Sequence, residues 1–135
     1  KSSYGVLRGL HYQNDPHAQA KLVRVVQGKV LDVIVDVRKG SPTFLKHYSL
    51  ELSAENKLQL LIPRGFAHGF VVLSDTCEFL YKCDSYYNKA SEGGIAYNDS
   101  TLNIDWQIPT NDIILSEKDI QNPSIQEANF NFIYS

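Results

Sequence analysis

The feature that most constrains this chain is a run of short apolar segments that alternate with a period of two and are each closed by a turn. Val30 to Val37 is the clearest. Leu31, Val33, Val35 and Val37 fall on one face, and Asp32 and Asp36 fall with Val30 and Ile34 on the other. Lys39-Gly40-Ser41-Pro42 follows as a turn by composition. Lys21 to Gln27 is rich in Leu and Val and stops at Gly28. Phe44 to Leu52 sets Tyr48, Leu50 and Leu52 opposite His47, Ser49 and Glu51. Leu58 to Ile62 comes next, and Pro63-Arg64-Gly65 breaks it. Phe70 to Leu73 and Cys77 to Cys83 are strands joined by Ser74-Asp75-Thr76, and Gly94 to Tyr97 is a further short one. On the Cys77 strand, Phe79, Tyr81 and Cys83 share a face with Cys77. Helix is expected only late: Ser116 caps a short piece with Asp119 three residues on, and Pro123 stops it. This pattern predicts an all-β antiparallel sandwich or barrel. A barrel of this kind can hold a ligand in its mouth, lined by the polar residues of inward faces.

The chain of 135 residues reads as one domain, with no linker, repeat or low-complexity stretch and with a tail at 124–135 that the pattern does not place. Hydrophobic residues make up 43% and aromatics 11%, which excludes a disordered chain. The net charge of -2, with both signs interspersed, gives no footprint for nucleic acid. No apolar run reaches membrane length. Cys77 and Cys83, six residues apart on one strand, stand about 20 Å apart at about 3.3 Å per residue. That is beyond disulfide reach, so free thiols and a cytoplasmic setting are expected. The chain opens on Lys1 and contains no Met, so an N-terminal piece is expected to precede it.

The candidate chemistry centres on Arg8-Gly9-Leu10-His11-Tyr12-Gln13. Strict alternation puts His11 on one face with Gly9 and Gln13, and Arg8 on the other with Leu10 and Tyr12. A glycine beside a titratable ring lets a ligand come close. A lone His is most simply a structural residue bonded to a carbonyl. Lys21, His68, Tyr81 and several carboxylates, however, lie on other strands that can converge on His11. Pro63-Arg64-Gly65-Phe66-Ala67-His68-Gly69 has the proline, glycine and histidine spacing of the second cupin motif. The first motif of metal cupins supplies His-x-His, and here His11-Tyr12-Gln13 stands in its place. With one His missing, the reading is no metal.

The segments Gly5 to Gln13, Lys21 to Arg24, Ser53 to Lys57, Ile62 to Phe70, Glu78 to Lys82, Ser91-Glu92-Gly93, Tyr97-Asn98-Asp99 and Leu115 to Asp119, in this order, resemble the dTDP-4-dehydrorhamnose 3,5-epimerase family. The resemblance covers about residues 5–123. It implies a cupin-like jelly roll, a homodimer, a dTDP-sugar substrate and no cofactor. Further N-terminal strands that exchange between subunits belong to the same picture. The implied reaction is epimerisation at C3 and C5 of a 4-keto-6-deoxy nucleoside-diphosphate sugar, in dTDP-L-rhamnose biosynthesis. The C4 carbonyl acidifies both positions, a base removes a proton, and an acid returns one to the opposite face. By resemblance His11 is the base, Asp119 orients it, Tyr81 is the proton donor and Lys21 stabilises the enolate. The residues alone do not choose Asp119 over Asp36 or Asp99. Arg8, Gln13, His68, Tyr87, Glu92 and Lys118 are the implied substrate contacts; an Arg fork suits phosphate. Single-site epimerisation of a related nucleotide sugar is the near alternative. A metal-dependent oxygenase and a non-catalytic binding module are the distant ones.

Overall fold

The computed structural model describes residues 1–134. Ten strands and one short α-helix run in the order β1 (Ser2–Ser3), β2 (Val6–Gln13), β3 (Lys21–Gln27), β4 (Lys29–Asp36), β5 (His47–Ser53), β6 (Gln59–Ile62), β7 (Phe66–Val72), β8 (Thr76–Cys83), β9 (Glu92–Gly94), β10 (Ile114–Leu115) and α1 (Glu117–Ile120), with 3-10 turns at Lys89–Ser91 and Thr110–Asp112. They form two sheets. The smaller has the order β1-β8-β3-β6; the larger has β10-β2-β7-β4-β5, with β9 also paired to β2. The described pairings are antiparallel, apart from β10 beside β2. The fold is a cupin-like jelly roll.

The larger sheet is buried on both faces, as the alternation along β4 anticipates. Val30 and Ile34 join Phe70 and Val72 and face Val23, Val25, Ile62 and Cys77 of the smaller sheet. Leu31, Val33, Val35 and Val37 face the other way, with Leu7, Leu10, Tyr12 and Val71. That outer face is covered by C-terminal chain: Trp106, Phe130 and Phe132 are all buried against it. Tyr12 meets Phe130 and Phe132 edge-on at 6.1 and 6.2 Å. The tail that the strand pattern could not place thus contributes Phe130 and Phe132 to this core.

The strand bounds expected from sequence shift in three places. β5 begins at His47, because Phe44 to Lys46 turn back on Ser41, Asp36 and Thr43. β7 begins at Phe66, four residues before the apolar run, because it ladders with β4 from Asp36 opposite Phe66 onward. The predicted strand at Gly94 to Tyr97 lies earlier, at Glu92–Gly94, and only Ile95 carries the pairing on by exchanging two bonds with Leu10. α1 forms where expected, with the Ser116 hydroxyl accepting from the Asp119 N–H at 3.2 Å. Cys77 and Cys83 are free thiols, the first buried and the second exposed. Among the described residues no helix is long and apolar enough to cross a membrane.

Candidate active site

A cavity of about 460 Å³ opens between the sheets at one end of the inner core. That is within the range of small-molecule sites. β2 supplies its back wall through an irregularity. Arg8 pairs with Phe70 and His11 with His68, and the register slips by one residue between them. Leu7, Leu10 and Tyr12 therefore point to the outer core, while Arg8, His11 and Gln13 all line the cavity. This corrects the expectation that Arg8 and His11 lie on opposite faces; the slip at Gly9 brings them together. Gly9 itself has φ +129, and a Cβ there would stand 2.6 Å from the Gly69 Cα. What approaches Gly9 closely is the neighbouring strand rather than a ligand.

His11 is bonded through Nε2 to Asp119 Oδ1 at 2.5 Å. α1 places this carboxylate, which is 3% exposed. Its Oδ2 also accepts from the Gly9 N–H at 3.2 Å, and Asn122 bridges it to the Gly9 carbonyl. Burial opposes ionisation of Asp119, yet the bond and charge of His11 and the Gly9 amide hold it below the usual carboxylate value. The two carboxylates that sequence could not separate from it are occupied elsewhere. Asp36 is held by Arg38, Ser41 and Thr43. Asp99 caps the amides of Thr101 and Ile125.

His68 enters the cavity from β7 and is bonded through Nε2 to Asp32 Oδ1 at 2.7 Å. Lys21, at the start of β3, pairs across strands with Cys83 and with Ile62. Burial pushes its ammonium below the usual lysine value, and the charges of Cys83, Asp32 and Glu92 pull it partly back. Tyr81 reaches the cavity from β8 beside Phe79 and Cys83. Tyr87 lines it from the loop after β8 and is 60% exposed.

Two expected substrate contacts are engaged with each other: Lys118 is ion-paired to Glu92, and only Glu92 lines the cavity. Gln13 lines the wall, but its amide is spent on the loop above. It donates to the carbonyls of His17 and Tyr86 and accepts from the Asn88 N–H. Sequence reasoning missed Asp32 and Cys83 as parts of the site. The signal for Asp32 was present, since alternation puts it on the inward face of β4 with Val30 and Ile34. Among the described residues no group of three or more His, Cys, Asp or Glu is placed to hold a metal ion.

A carboxylate-backed histidine at the wall of an open jelly-roll cavity, with a tyrosine and a half-buried lysine in the same space, is an arrangement able to do acid–base chemistry on a small polar ligand. Comparison with known proteins identifies the family. Residues 1–127 match the family model described as dTDP-4-dehydrorhamnose 3,5-epimerase. A Shigella flexneri dTDP-4-dehydrorhamnose 3,5-epimerase is 55% identical over 130 residues, 96% of this chain and 71% of that protein. The crystal structure of the Elizabethkingia anophelis enzyme of that name aligns with a TM-score of 0.94 at 63% identity, over 96% of this chain and 70% of that one. A dTDP-6-deoxy-D-glucose-3,5-epimerase from Legionella pneumophila, in complex with dTDP-4-keto-L-rhamnose, aligns with a TM-score of 0.94 at 47% identity, over 99% and 71%. The chain belongs to the dTDP-4-dehydrorhamnose 3,5-epimerase family.

Proposed function

We propose that the chain epimerises C3 and C5 of dTDP-4-dehydro-6-deoxy-glucose to give dTDP-4-dehydrorhamnose, on the path to dTDP-L-rhamnose in the cytoplasm. The observation that carries this is the His11–Asp119 pair at 2.5 Å in the wall of a cavity that Tyr81 also lines. A proton next to a ketone becomes acidic because the carbonyl takes up the charge. His11 removes it, and Asp119 orients the ring and stabilises its charged form. The enolate oxygen draws on Lys21, a cation in a partly desolvated wall where electrostatic stabilisation is strong. Tyr81 returns a proton from the other side, and the configuration inverts. The scheme needs side chains alone. Arg8 and His68 contact the diphosphate and sugar, and Tyr87 lies over the ligand at the mouth. Gln13 shapes the site by holding the loop that carries Tyr86 to Asn88, while Glu92 and Lys118 act there as a pair.

The outer face of the smaller sheet supports a homodimer. Leu22 and Leu61 are cross-strand neighbours that stand 38% and 64% exposed, and Leu80 is 44% exposed on β8. Sedimentation of the purified chain checks this.

Incubation with dTDP-4-dehydro-6-deoxy-glucose in deuterated water tests the activity. Deuterium at both C3 and C5, with dTDP-4-dehydrorhamnose formed, is the expected result. Deuterium at one carbon would make the chain a single-site epimerase, and none at either would overturn the proposal.

A further inference from the structure

Two His–Asp pairs open on this cavity, and the proposed proton abstraction uses only one. The second is His68 with Asp32. Its carboxylate comes from the middle of β4 and is fully buried. Asp32 Oδ1 is bonded to His68, and Oδ2 has no hydrogen-bond partner among the described residues. The contrast with Asp36, four residues on along the same strand, is direct. Asp36 Oδ1 takes two bonds from Arg38, and its Oδ2 accepts from Arg38, Ser41 and Thr43. Asp36 is satisfied as a structural carboxylate should be. Asp32 is not, and a buried acceptor left empty costs stability. A position kept for stability alone would be better served by a neutral residue.

The geometry gives Asp32 another use. The His68 ring is stacked on Phe79 at 6.2 Å and 20° and lies 6.4 Å from Phe70. Those two rings fix the plane of the imidazole, but not which of its edges faces the ligand. With Asp32 Oδ1 as the acceptor of this contact, Nε2 carries the proton and turns toward Asp32. The remaining ring nitrogen, Nδ1, is then the atom available to the cavity. His68 is also the cross-strand partner of His11, and the two residues line the same cavity from neighbouring strands.

We infer that Asp32 is a positioning residue acting through His68, fixing the tautomer and the edge of the ring that meets the sugar nucleotide next to His11. The inference rests on the proposed role of His68 as a substrate contact. It makes Asp32 a residue held at the expense of stability, the pattern expected of a group that serves a site.

The test compares Asp32→Asn, His68→Ala and the double variant. Asp32→Asn is expected to melt no lower than the parent chain. Its kcat/KM should fall by about 10- to 100-fold, the size seen when the partner behind a functional imidazole is removed. The double variant should be no worse than His68→Ala alone, because both changes remove one unit. Nitrogen-15 spectra of the histidine rings supply a readout that needs no turnover. His68 should show the proton on Nε2 in the parent chain and lose that pattern in Asp32→Leu, which removes every acceptor at this position, while His11 keeps its own. Additive losses in the double variant, a lower melting temperature with unchanged kcat/KM, or an unaltered His68 ring signal in Asp32→Leu would each overturn the inference. If the parent chain turns over no substrate, the proposed function fails by itself, and the ring spectra still decide what Asp32 does to His68.

Discussion

His11 and His68 stand opposite each other on β2 and β7, and each is tied through Nε2 to a buried carboxylate from a third element. The two pairs are built differently. Asp119 also receives an amide from Gly9, whereas among the described residues Asp32 receives nothing on its second oxygen. Only the first has the support needed for a carboxylate that must stay charged as its partner gains a proton. Replacing His11 with Asn should therefore suppress deuterium uptake at both carbons, by at least about 10²-fold. Replacing His68 should weaken turnover while leaving exchange detectable at both. Nuclear magnetic resonance of the recovered sugar measures each position.

The role proposed for Tyr81 separates inversion from exchange. Without its hydroxyl, His11 can still take a proton and return it to the face it came from. Tyr81→Phe should slow product formation by about 10²- to 10⁴-fold and slow deuterium uptake less. Equal slowing of both at both carbons would assign the proton return to another group.

Asp119 predicts a pH dependence of stability. Burial works against its charge, but the His11 interaction and the Gly9 amide outweigh this and lower the folded value. A carboxyl lowered on folding contributes stability that is complete above the ordinary carboxylate value and is lost as pH falls through the folded one. Urea midpoints of the parent chain and Asp119→Asn should differ most near neutral pH and converge in acid. A gap that stays constant down to strong acid would contradict this assignment.

Gly9 predicts a packing defect. A Cβ there would meet the Gly69 Cα at 2.6 Å and the His68 carbonyl oxygen at 2.9 Å, and the backbone sits at φ +129. Gly9→Ala should destabilise by about 1–3 kcal/mol or more, from overpacking and backbone strain together. Denaturant unfolding gives the number, and activity should fall with it, because the strand that moves carries His11.

Cys83 predicts selective labelling. It lines the cavity, whereas Cys77 is buried in the inner core. Burial pushes its thiol up, which the charge of Lys21 partly offsets, so maleimide labelling should be slow near neutrality and quicken as pH rises. dTDP should protect it. Mass spectrometry of the digested chain locates the adduct.

The residues themselves announced part of this. The period of two along β4 named both of its faces, and Ser116 with Asp119 marked α1 correctly. Two things were hidden because they depend on partners far along the chain. The slip at Gly9 arises where β2 meets Gly69, so no count along β2 alone could put Arg8 and His11 on one side. The burial of Phe130 and Phe132 depends on an outer sheet face that must form first, and the alternation Asn129-Phe130-Asn131-Phe132 is too short to name the face it covers. The acidic partner of His11 came from family resemblance; the structure supplies the reason, since Asp36 and Asp99 are already committed.

The His11–Asp119 contact joins positions 108 residues apart, one on the second strand and one on the last helix. Such a contact is reached only after nearly the whole chain has closed on itself, so it carries a large loop-closure cost and belongs to the slow, non-local part of folding. Catalytic competence then works as a proofreading signal on assembly. A chain whose strands have paired but whose C-terminal segment has not yet docked would look folded by its sheet content and lack the carboxylate behind His11. Recovery of activity on refolding should accordingly lag behind recovery of β-structure.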